Sequence, residues 1–164
     1  MSTRIINISK KKQALEFFSQ FKNKNYGNAE IKIENLHIRN LNAIPGFELF
    51  KKNDAYINAS VLYKILNNGV DDTVNYHGLS ESQLYDALVS IKTSACFFKT
   101  KKNRYAILTN VILPDGDPIL VIIEINANLK QQFKIKINKI VSVYPKRNIE
   151  SYINNHNGKD MYKK

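Results

Sequence analysis

Residues 104–126 read RYAILTNVILPDGDPILVIIEIN. Two apolar runs, 104–113 and 118–126, flank Pro114-Asp115-Gly116-Asp117. Proline presets its own φ, Asp bonds nearby backbone, and Gly accepts positive φ, so the four residues form a turn between paired strands. The run 118–126 is nearly all apolar, the composition of a central strand buried on both faces. Strand candidates lie on either side of this hairpin. Residues 95–99 connect to it through the turn Thr100 to Asn103, and residues 134–144 follow a polar loop and end at Pro145. The expected unit is an antiparallel meander of three or four strands.

Upstream of the meander the periodicity changes. Residues 3–8 alternate weakly as a short strand, and Ile31 and Ile33 alternate with Lys32 and Glu34 in a strand over 29–38. Residues 9–22 place Leu15 and Phe18 on one helical face, with Phe17 and Phe21 beside them. Residues 59–66 read as a second helix, stopped by Asn67-Asn68-Gly69. Ser80-Glu81-Ser82-Gln83 is a capping box, so a third helix starts there with Leu84, Leu88 and Ile91 on one side. Residues 148–155 suit a short fourth helix. Helices first and strands afterwards argue α+β: N-terminal helices packed on a C-terminal antiparallel sheet of about four strands.

The length of 164 residues fits one domain. Residues 1–58 form an N-terminal helix and strand part of unassigned role, and 59–164 the candidate functional core. Lys and Arg number 25 against 14 Asp and Glu, a net charge of +11. That excess favours a polyanionic partner, RNA first, although an AT-rich coding sequence would supply part of the Lys surplus. Cys96 is the single cysteine, so no internal disulfide forms; it reads as a small core residue. No apolar run approaches the ~20 residues of a membrane span, and no signal peptide is evident, so a cytoplasmic protein without a membrane partner is expected.

Several chemistries find no motif: Walker loop, GxGxxG, GxSxG elbow, zinc spacing or a two-metal acidic pair. No metal or cofactor is therefore expected. Cations, hydroxyls and one well-placed histidine remain, and these suffice to cleave RNA, whose 2′-hydroxyl is an internal nucleophile. His77 precedes the capped helix in a Tyr-His-Gly turn and is the candidate acid or base. His37 and His156 read as structural and exposed residues. In Ser142-Val143-Tyr144-Pro145-Lys146-Arg147, strand alternation points Ser142 and Tyr144 one way, opposite Val141 and Val143, with two cations following. Lys99, Lys101, Lys102 and Arg104 form a basic hairpin suited to backbone steering, and Arg147, Lys159 and Tyr162 extend the candidate RNA-binding set.

From Tyr76 to Tyr162 the chain resembles the phage-associated nucleases of the barnase–EndoU–colicin–RelE superfamily, including the domain at the C-terminus of MuF-type phage minor head proteins. The resemblance rests on Tyr76-His77-Gly78-Leu79-Ser80, the strand Arg104 to Thr109, Gly116-Asp117-Pro118-Ile119-Leu120-Val121, Ser142-Val143-Tyr144-Pro145-Lys146 and Gly158-Lys159-Asp160-Met161-Tyr162, in that order. It implies a barnase/RelE-like fold and metal-independent RNA cleavage. It assigns His77 as general acid or base and Ser142, Tyr144 and Lys146 to the scissile phosphate. Lys159 and Tyr162 would complete the pocket. A free-standing toxin or antiviral defence protein of this type would meet an acidic antitoxin or immunity protein. Two other readings stay open. One is a non-catalytic nucleic-acid-binding or interaction module. The other is an ADP-ribosyltransferase-like toxin, for which Glu124 is the one suggestive carboxylate.

Overall fold

The computed structural model describes residues 5–8, 10–21, 29–33, 55–67, 77–91, 96–101, 104–129, 132–155 and 161–163. In chain order these form β1 (Ile5–Ile8), α1 (Lys11–Phe21), β2 (Glu30–Ile33), β3 (Ala55–Asn58), α2 (Ala59–Leu66), α3 (Glu81–Ser90), β4 (Cys96–Lys101), β5 (Arg104–Ile112), β6 (Pro118–Leu129), β7 (Gln132–Pro145), α4 (Ile149–Asn155) and β8 (Met161–Lys163). The protein is α+β with a mixed open sheet.

The expected meander is present. β4, β5, β6 and β7 pair antiparallel in succession. At the turn between β5 and β6, Asp115 Oδ1 accepts from the Asp117 N–H at 3.0 Å and Gly116 takes φ 95°. Among the described residues the sheet has eight strands, more than the four expected, in the order β1-β2-β3-β7-β6-β5-β4-β8. The N-terminal strands extend it: β1 pairs parallel with β2, β2 antiparallel with β3, and β3 parallel with β7.

Paired residues share a face, so registers define rows across the sheet. The row Ile6, Ile31, Ile57, Ile140, Ile123, Tyr105 crosses six strands. Ile31, Ile57, Ile140, Ile123 and Tyr105 belong to the main core, and partly buried Ile6 packs against it. Helices α1, α2 and α3 cover that face with Phe18 and Phe21, Leu62, Ile65 and Leu66, and Leu84 and Leu88. β6 is buried on both faces, as its composition implies: Ile119, Val121 and Ile123 enter the main core, while Ile122 joins Ala106 in a second cluster. α4 packs on this opposite side, where Tyr152 meets Ala106, Ile122 and Tyr144.

Local chemistry fixes the helix starts. Asn58 caps α2, its Oδ1 accepting from the Ser60 N–H at 2.9 Å. Its Nδ2 donates to the buried Glu30 carboxylate at 2.8 Å, tying β2 to the helix. The Ser80–Gln83 capping box forms as read, with both reciprocal bonds present.

Candidate functional site

His77 is delivered by two helices. The segment leading into α3 crosses the C-terminal end of α2, where carbonyls lack intrahelical partners. The N–H groups of His77, Gly78 and Leu79 donate to the carbonyls of Lys64, Asn67 and Ile65 at 2.9, 3.0 and 2.9 Å. Gly78 takes φ 62°, a left-handed conformation that a side chain resists. Leu79 is buried in the main core and Ser80 caps α3, so the backbone around His77 is held on both sides.

The sheet supplies the other half. The pairing of β3 with β7 ends at Ile57 and Ile140, because β3 turns into α2 at the next residues. Past Ile140, β7 carries a register shift opposite Ile122 and Ile123. This bulge corrects the simple alternation read from the sequence. Ile140 and Val143 both enter the main core although three residues apart, and Val141 packs with Tyr144 rather than opposite it. Ser142 and Tyr144 do share the face of Ile122 and Leu120, their register partners.

His77 and this segment meet. Ser142 Oγ lies 3.4 Å from His77 Nε2, across 65 positions of sequence. The imidazole stacks on the Tyr144 ring, with centroids 5.5 Å apart and planes at 29°. An Nδ1–H tautomer leaves Nε2 free to accept the Ser142 proton. Burial holds the His77 pKa below its ordinary 6.5, and the nearby Lys64 cation lowers it further. The imidazole is therefore neutral at pH 7 and can take up a proton.

Tyr144, Lys146 and Tyr152 complete the cluster. Burial raises the Tyr144 phenol above its usual range. Tyr152, which no sequence signal assigned to the site, is pushed up to about 12 by burial and by neighbouring Tyr144. Both phenols keep their protons at neutral pH. The Lys146 N–H donates to the Pro118 carbonyl at 2.9 Å, and its Nζ stands 5.2 Å from the Tyr152 ring centroid. The Arg147 side chain is 89 % exposed, with a loose 3.9 Å contact to Asp117.

The remaining candidates separate. Arg104 is bound to Glu124 at 3.2 Å, which occupies the one carboxylate that favoured an ADP-ribosyltransferase reading. Lys99 stands in register with Tyr105 and Lys101 with Arg104. Tyr162, on β8, stands in register with Phe97 of β4. Lys102, Lys159, His37 and His156 lie outside the described residues. Sequence reasoning missed Lys64 and Tyr152 as site residues; the helix expected over 148–155 contains Tyr152, but no local pattern sets that helix against Tyr144.

Among the described residues, no helix is long and apolar enough to cross a membrane. No curated protein and no solved structure matches the chain. Residues 69–163, which contain His77, Ser142, Tyr144, Lys146 and Tyr152, match the phage MuF C-terminal domain. More than half of the chain lies in that match, and the protein belongs to the phage MuF C-terminal domain family.

Proposed function

We propose that the chain is a metal-independent endoribonuclease that cleaves RNA through attack of the 2′-hydroxyl. The carrying observation is the convergence of neutral His77 on Ser142, 3.4 Å from Nε2, with Tyr144 stacked on the same ring. The antiparallel run β4–β7 beneath packed helices supports the barnase/RelE-like comparison.

The roles follow from protonation state. His77 Nε2 takes the proton of the ribose 2′-hydroxyl as its oxygen bonds to phosphorus. Ser142 hydrogen-bonds a non-bridging oxygen, and Lys146 neutralises the charge that accumulates there. The bond from phosphorus to the 5′ oxygen breaks, and the Tyr144 phenol protonates the leaving oxygen. The His77 imidazolium then returns its proton to Tyr144. The products are a 2′,3′-cyclic phosphate and a 5′-hydroxyl.

Incubation of the purified protein with an RNA oligonucleotide in EDTA tests this reading. It predicts cyclic phosphate ends, and no cut at a scissile nucleotide made 2′-deoxy. Products that require added magnesium, or cutting at the deoxy position, contradict the mechanism. RNA bound but never cut would favour a non-catalytic nucleic-acid module.

A further inference from the structure

Adjacent to the isoleucine row, strand pairing draws a second row with the opposite orientation. Lys32 pairs with Tyr56, Tyr56 with Lys139, Lys139 with Glu124, and Glu124 with Arg104. The neighbours Ile31, Ile57, Ile140, Ile123 and Tyr105 all face the main core, so this row faces away from α1–α3. Lys32, Lys139, Glu124 and Arg104 are each partly exposed. Tyr56 is buried against Ile137 and fixes the floor between the two lysines.

We propose that this row is a phosphate-binding track for single-stranded RNA that leads to the His77–Ser142 site. The choice of RNA rests on the ribonuclease reading. Two features select a linear polyanion. The cations are aligned, one to every second strand, about 10 Å apart at ordinary strand spacing. The track also runs beside the site: Glu124 and Arg104 are two residues along their strands from Ile122 and Ala106, which share a row with Ser142. That step is about 7 Å.

Glu124 has a defined part. It stands between Lys139 and Arg104 and holds the Arg104 guanidinium at 3.2 Å. An incoming phosphate competes with that carboxylate, so Glu124 weakens the track and limits tight, unproductive binding.

A salt titration decides this. The probe is a fluorescent single-stranded 2′-O-methyl oligonucleotide, which has no free 2′-hydroxyl and is not cut. Binding to the full chain is read by polarisation over a range of salt. Each lost phosphate contact removes about 0.7 from the log–log salt slope of a single strand. The double variant Lys32→Gln, Lys139→Gln is expected to flatten the slope by about 1.4 and weaken low-salt binding roughly tenfold. Glu124→Gln is expected to tighten binding by freeing Arg104. A natively melting double variant with an unchanged slope overturns the track, as does a wild type that does not bind the probe. If the double variant fails to fold, Glu124→Gln alone decides: tighter binding supports the track, and unchanged or weaker binding overturns it. Wild type that binds with these slopes yet cuts no unmodified RNA keeps the track and removes the nuclease. Wild type that cuts RNA while the variants bind unchanged does the reverse.

Discussion

The proton economy at His77 is set by three neighbours acting differently. Burial disfavours the imidazolium, Lys64 repels it, and Ser142 gives Nε2 a proton partner. A reaction using neutral His77 as base gains rate as pH rises through the His77 pKa, which lies below 6.5, and levels off toward neutrality. Lys64→Gln removes the repulsion, raises that pKa and moves the acid limb of the pH–rate profile to higher pH. A profile unmoved by Lys64→Gln would show that another group sets the limb. Ser142→Ala is expected to lower the rate roughly 100–1,000-fold, in keeping with loss of one hydrogen-bonding group at a reacting phosphate. Its measurement is single-turnover cleavage, with thermal melting to confirm the fold.

The elements that carry these residues were unequally legible. The capping box at Ser80 and the turn at Pro114–Asp117 announce themselves because a few adjacent residues satisfy their own backbone. Those signals located α3 and the β5–β6 hairpin, and placed His77 just before a helix. Ser142 and Tyr144 were legible as a pair on one strand face. The bulge after Ile140 was not, since nothing in Ile140-Val141-Ser142-Val143 marks an extra residue until its partners Ile122 and Ile123 are known. The strands β1, β2 and β3 have four residues each and join the sheet partly by parallel pairing between distant segments, which no local pattern encodes. Ser80→Ala should cost about 1 kcal/mol in urea denaturation, the usual worth of such a cap. Because that cap fixes the loop bearing His77, cleavage should fall as well in protein that remains folded.

At the scale of the whole molecule, the family match and the folded core have different limits. The match begins at residue 69, after β3 and α2. Those two elements place Ile57, Leu62, Ile65 and Leu66 in the main core, and α2 also supplies carbonyl acceptors to the His77 loop. A fragment of residues 69–164 would expose Ile140 and Ile123 along the side vacated by β3 and α2. It is expected to lack a cooperative thermal transition by circular dichroism, whereas the full chain melts cooperatively. A stable, cooperative fragment would contradict this account of the core. The same large-scale pairing regroups the cations relative to their order in the sequence. Lys99 and Arg104 are close in sequence but stand in different rows, while Lys32 and Lys139, far apart in the chain, share one.

Whether His77 initiates RNA cleavage is tested by comparing wild type with His77→Ala on total RNA in EDTA. Cyclic-phosphate-terminated products are expected from wild type, and at least a 100-fold slower reaction from a folded His77→Ala protein, the lower end of the range for general acid–base catalysis of about 10²–10⁴. Equal cleavage by the two proteins, or no cleavage by either where a control ribonuclease is active, would contradict that role.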